Sequence, residues 1–150
     1  KETTMSKSKA IGTKAETALR NYLLSVGYGP LEAHRNVLTG SEDEGDVWVR
    51  DPKHGLIVFE VKGGKAAKEA SHEQMKKWFK EAELERDNAG GAYGFLVTQR
   101  TGVGYPRAGE WWAYGTLESM AYIADSSVLE RGAFIRTTVA ELVRLIRGEG

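Results

Sequence analysis

The chain has no cysteine, so disulfides and thiolate metal sites are excluded. It has no apolar run of the roughly 18 residues that a membrane-spanning helix needs. Neither sign of charge is in excess, since 21 basic residues balance 21 acidic ones. Proteins that grip nucleic acid through bulk positive charge are usually basic, so this balance is a mild argument against one. There is no internal repeat and no low-complexity tract. The polar, basic opening from Lys1 to Lys14 lacks the apolar stretch of a secretory signal, and a cytoplasmic protein is the expectation. Lys1-Glu2-Thr3-Thr4 ahead of Met5 is consistent with a remnant of expression.

What is present describes an ordinary folded domain. A length of 150 residues suits one domain with a proper core and is too short for two comfortable ones. Hydrophobic residues make up 41% and charged residues 28%, as in globular rather than disordered chains. The charges are unevenly placed. Lys7, Lys9 and Lys14 sit at the start, and Lys62, Lys65, Lys68, Lys76, Lys77 and Lys80 crowd one middle segment. Acids concentrate in Glu42-Asp43-Glu44 and Asp46. A neutral total can therefore contain a basic strip beside an acidic pocket, and solvated helix faces would produce the same lysine pattern.

Periodicity predicts a helix over 13–26, with Leu19, Tyr22, Leu23 and Val26 inward and Gly27 as its stop. Short strands are expected over 33–38 and 46–49. The run 56–62 is the clearest strand and should pair with 47–49 as a hairpin through Asp51-Pro52-Lys53-His54-Gly55. Ser71 with Gln74 has the spacing of a capping box, opening a helix to about Asp87 with Met75, Trp78, Phe79 and Ala82 on one stripe. A strand at 93–99, a loop to 110, a strand at 111–114, a helix at 116–124, a strand at 134–136 and a helix at 138–147 complete an α/β layered arrangement.

Alternation puts Leu56, Val58, Glu60 and Lys62 on one face of their strand and Ile57, Phe59 and Val61 on the other. The first face begins apolar and ends in a carboxylate beside an ammonium, which points to a site rather than a solvated edge. An antiparallel hairpin carries Asp46 next to that end. Two carboxylates held together repel unless a cation neutralises them. Magnesium prefers carboxylate oxygens, waters and substrate phosphate. It can lower the pKa of a water and offset charge on a phosphate. Lys62 can orient or help deprotonate that water. The parts fit phosphodiester hydrolysis. Glu16 lies in line with Leu19 and Leu23 on a helix face, and a carboxylate there needs a partner. It is either a further ligand or the fourth member of a Thr13-x-x-Glu16 capping box.

Gly12-Thr13-Lys14-Ala15-Glu16, Gly40-Ser41, Gly45-Asp46-Val47, Phe59-Glu60-Val61-Lys62 and Glu73-Gln74 occur in that order. In this series the chain resembles the PD-(D/E)XK nuclease superfamily, and within it the archaeal-type Holliday junction resolvases, over roughly Lys9 to Trp112. The resemblance implies a single domain with a restriction-endonuclease-like core over about 9–115, its mixed central sheet flanked by helices, and a C-terminal extension over about 116–150. It implies catalytic roles for Glu16, Asp46, Glu60, Lys62, Ser41 and Gln74. Magnesium, or manganese in its place, would be held by Asp46, Glu60, Glu16 and Val61. Lys9, Lys14, Lys65, Lys68, Lys76 and Lys77 would contact DNA phosphates. The implied activity is cutting of branched or four-way-junction DNA by a homodimer. One departure is Gly45, which stands where the motif's name has proline. Another is Glu42-Asp43-Glu44, which offers competing carboxylates; the segment after Gly115 has no counterpart.

Two other readings stay open: a repair, restriction or end-processing nuclease of the same superfamily, and a non-catalytic DNA-binding module on the same fold. His34, His54 and His72 are scattered and read as surface or turn residues. Gly102-x-Gly104 lacks the strand-to-helix context of a nucleotide loop. Trp111-Trp112 reads as core or interface, with stacking on an exposed base as the functional alternative.

Overall fold

The computed structural model describes residues 7–36, 46–123 and 134–148. Within them the chain is an α/β fold. Its six-stranded mixed sheet has the order β1-β2-β3-β4-β5-β6 and is flanked by helices. The strands are β1 (Ala33–Asn36), β2 (Asp46–Asp51), β3 (Gly55–Lys62), β4 (Tyr93–Thr98), β5 (Trp112–Thr116) and β6 (Phe134–Thr138). Only β3 and β4 run parallel; every other neighbour pair is antiparallel. The parallel step is bridged by α2 (Gly64–Lys68) and α3 (His72–Ala89). The remaining helices are α1 (Lys7–Ser25), α4 (Leu117–Ile123) and α5 (Val139–Arg147), with a 3-10 turn at Tyr105–Glu110. Among the described residues no helix is long and apolar enough to cross a membrane.

The hairpin forms as its sequence dictates. Val47 faces Phe59, Trp48 faces Val58 and Val49 faces Ile57. Asp51 builds the turn: its carboxylate accepts from the backbone N–H groups of Lys53 and His54, each at 3.0 Å, which is an Asx turn. The Tyr28 hydroxyl donates to the other Asp51 oxygen at 2.6 Å, and Arg147 stacks over the Tyr28 ring at 4.9 Å.

The sheet is covered differently on its two faces. Val47, Val49, Ile57, Phe59, Val61, Phe95, Val97 and Ala113 turn toward Ala15, Leu19 and Leu23 of α1 and Leu142, Val143 and Ile146 of α5, forming the main core. The other face carries Leu56, Val58, Glu60 and Lys62 of β3 beneath α3. Gly94 lets that helix sit low, because a Cβ there would lie 2.8 Å from the Ala82 carbonyl oxygen.

Two boundaries differ from expectation. Helix α1 begins at Lys7, six residues before Thr13, so Thr13 lies inside the helix and is not its cap. Gly12 breaks the helical pattern to the eye. A tertiary contact overrides it: Ile11 packs where side chains on Gly63 and Gly64 would otherwise be. Helix α2, absent from the sequence reading, starts at Gly64 with Gly63 as its N-cap. Ser71 caps α3 by accepting from the Gln74 N–H, as expected, and Gly90 closes it in a left-handed conformation.

Burial, and then the Asp51 carboxylate, hold the Tyr28 hydroxyl well above its ordinary pKa of 10.0. A raised pKa means that the folded state keeps this proton longer than the unfolded chain. The contribution is therefore complete below about pH 10 and is lost as pH rises beyond it. Tyr28→Phe is expected to cost about 1–2 kcal/mol at neutral pH by urea unfolding. The variant should also show a shallower loss of stability above about pH 10 than the parent protein.

Candidate active site

The site lies at the carboxyl end of β3. Lys62 Nζ is 3.0 Å from Glu60 Oε2 and 3.5 Å from Glu81 Oε1 on α3. It also lies 5.5 Å from the centre of the Trp78 ring, a cation–π distance. Glu60 is buried and Lys62 half-buried. The ammonium is thus fixed by two carboxylates and a ring.

Position 46 arrives at this place through the hairpin. Continuing the pairing of Val47 with Phe59 by one residue sets the Asp46 backbone across from Glu60. Asp46 also pairs with Asn36 of β1. The side chain of Asp46 lies outside the described residues, as do Ser41, Gly45 and Glu42-Asp43-Glu44.

Glu16 enters from the other layer. It is fully buried, with Leu19 and Leu23 on the same helix face, as the periodicity predicted. Its neighbour Ala15 packs where a Cβ on Gly63 would be, so α1 crosses the same end of β3 that carries Lys62. Glu16 Oε1 accepts from Arg35 Nε at 3.0 Å and forms an ion pair with Arg35 Nη2, also at 3.0 Å. Arg35 pairs with Val47 in the β1–β2 ladder and so belongs to the α1 face. The structure therefore gathers Glu60 and Lys62 with Glu81 on the α3 face, and Glu16 with Arg35 on the α1 face, at one end of the sheet.

The other expected residues take varied places. Val61 is buried in the core, so its side chain offers packing and no donor. Gln74 lies one turn before Trp78 and two before Glu81, on the stripe of α3 that faces Lys62. Lys65 and Lys68 of α2, Lys76 and Lys77 of α3 and Lys14 of α1 are exposed. Lys9 lies on α1, its side chain outside the described residues. Arg35, Glu81 and the Trp78 contact were not foreseen. Arg35 and Glu81 had no spacing signal, because each meets its partner only through tertiary packing. Of the histidines, His54 sits in the hairpin turn and His34 lies beside Trp48. Trp111 is buried, with its indole N–H donating to the Val103 carbonyl at 2.9 Å.

The chain matches no family model, no curated protein and no solved structure.

Oxygen donors beside a lysine, with sulfur absent, suit a hard divalent cation rather than a soft one. Among the described residues no three acidic or histidine side chains gather closely enough to hold a metal ion. A site here therefore depends on Asp46 joining Glu60.

The buried Glu16–Arg35 pair gives a test of the α1 layer. Arg35→Met leaves a carboxylate in the core and should cost about 2–3 kcal/mol by urea denaturation. Adding Glu16→Gln should recover part of that loss, whereas simple additivity of the two changes would refute the coupling.

Proposed function

We propose that this protein is a divalent-cation-dependent DNA endonuclease of the PD-(D/E)XK type, with a restriction-endonuclease-like core. The observation that carries the reading is the Glu60–Lys62 pair at the end of β3, with Asp46 set across from it by the hairpin register. Such a unit combines acidic oxygens for a cation with a fixed ammonium for a phosphate or its attacking water. Asp46 and Glu60 would hold the cation, with Glu16 contributing from the α1 side, and the cation when bound would offset charge developing on the scissile phosphate.

The protein side chains divide the remaining work. Glu60 holds Lys62 in place, so the ammonium is positioned before substrate arrives and little reorganisation is needed during reaction. Glu81 and the Trp78 ring restrict it from the α3 side. Gln74 on the same stripe is placed to orient substrate or water. The exposed lysines of α2 and α3 supply phosphate contacts that position a backbone without reading sequence.

Within this reading the substrate is branched DNA, and a four-way junction is the form that fits paired cuts. Two cuts related by two-fold symmetry require two sites, which a homodimer provides. Incubated with magnesium, the protein is expected to cut a four-way junction symmetrically in preference to linear duplex. Equal cutting of both substrates would discard the junction preference, and no cutting of either would discard the nuclease. Asp46→Asn, Glu60→Gln and Lys62→Ala should each lower the single-turnover cleavage rate by about 100-fold or more while junction binding persists. An unchanged rate in Glu60→Gln would remove the site assigned here.

A further inference from the structure

A cleft of about 290 Å³ opens beside the candidate site on the α3 side of the sheet, and Lys68, Thr98, Gln99, Arg100, Trp112 and Arg136 help to line it. Thr98 is in register with Lys62 on one side and Trp112 on the other, so the three form a row across β3, β4 and β5. Two strand spacings of about 4.8 Å separate Lys62 from Trp112.

Trp112 is clasped by two guanidinium groups. Arg100 lies 4.0 Å from the ring centre and Arg136 lies 3.8 Å from it. Both guanidinium groups thus lie against the one ring. With two guanidinium groups over it, the Trp112 ring is engaged by cations, which favours that role over the base-stacking alternative. Its role is to hold two arginines still. Arg100 spends one N–H on the Glu110 carbonyl at 3.2 Å, and Arg136 is exposed, with no carboxylate partner among the described residues. Among the described residues lining the cleft none is acidic, although the chain as a whole is neutral. Glu110 interacts with Arg100 from outside the lining, and it is already paired with Arg107 at 2.7 Å. Three cations on one wall, two of them stacked and so pre-organised, suit an anion. Beyond Arg136 a second cleft continues past Tyr114 to Phe134 and His72. The Tyr114 and Phe134 rings are stacked there at 5.5 Å.

We propose that this cleft binds one strand of nucleic acid, its backbone phosphates on Arg100, Arg136 and Lys68 and its bases toward the partly exposed Phe134 and the exposed His72. A polyanion with apolar flat faces matches a run of cations followed by aromatics. The inference rests on the nuclease reading for its direction, since it leads a strand away from Lys62. Its binding chemistry is independent of that reading.

The test is fluorescence anisotropy of a labelled single-stranded 12-nucleotide oligothymidylate with the full chain in EDTA, across a salt series. Arg100→Ala and Arg136→Ala should each weaken binding by about ten-fold and reduce the salt slope by about one. Trp112→Leu should weaken binding several-fold with the slope retained, because both charges remain but are no longer held. Arg144→Ala, on the opposite layer and paired with Glu141 at 2.6 Å, should change nothing. Wild-type affinity in the Arg100→Ala/Arg136→Ala double variant, or no binding by the wild type, would overturn the proposal. So would displacement of the oligonucleotide by inorganic phosphate at the same molar concentration, which would mean a single-phosphate pocket. Arginine-dependent binding without any cleavage in magnesium would instead leave the cleft standing and remove the nuclease.

Discussion

The register of the β2–β3 hairpin is the constraint on which the site depends. Strand side chains alternate, so a slip of one residue would turn Glu60 and Lys62 into the core beneath α1 and bring Phe59 and Val61 out under α3. Asp51 opposes that slip from the turn, where one carboxylate satisfies two backbone N–H groups and the Tyr28 hydroxyl. The apolar set Val47, Val49, Ile57, Phe59 and Val61 opposes it along the strands, each member nearly free of solvent. Packing at one end of the hairpin thus determines where charge falls at the other.

Two helices approach that charged end from opposite faces, and glycine makes each approach possible. Gly63 and Gly64 admit Ala15 and Ile11 of α1, and Gly94 admits the backbone of α3. The first contact brings the Glu16–Arg35 pair to the end of β3, and the second brings Glu81 and Trp78 onto Lys62. Lys62 consequently has less freedom than a lysine on a solvated strand, and it sits where repulsion between Glu60 and Glu81 would otherwise be strongest. A phosphate or a cation entering here would meet groups already ordered, which is what the proposed site requires.

The strands and the long helices were legible because their signals are local. The run from Leu56 to Lys62 alternates cleanly, Ser71 with Gln74 announces a cap, and Thr138 to Arg147 has an apolar stripe that the structure buries. The start of α1 was not legible, because Gly12 opposes a helix locally while Ile11 packs against the Gly63-Gly64 pair, a contact distant in sequence. The same misplacement made Thr13-x-x-Glu16 look like a cap. Glu60 and Lys62 could be read as neighbours from strand period alone. Arg35 as the partner of Glu16, and the two arginines on Trp112, could not, since each joins residues distant in sequence through the order of strands in the sheet.

The central claim is that the Asp46–Glu60 row beside Lys62 takes a hard divalent cation. Manganese carries an anomalous X-ray signal, so a crystal soaked in manganese locates the ion directly. The account predicts one strong anomalous peak about 2.0–2.3 Å from a Glu60 oxygen and from the Asp46 carboxylate, at the carboxyl end of β3. Strong density elsewhere on the chain with none at Glu60, or an Asp46 side chain turned away from an empty Glu60, would contradict it.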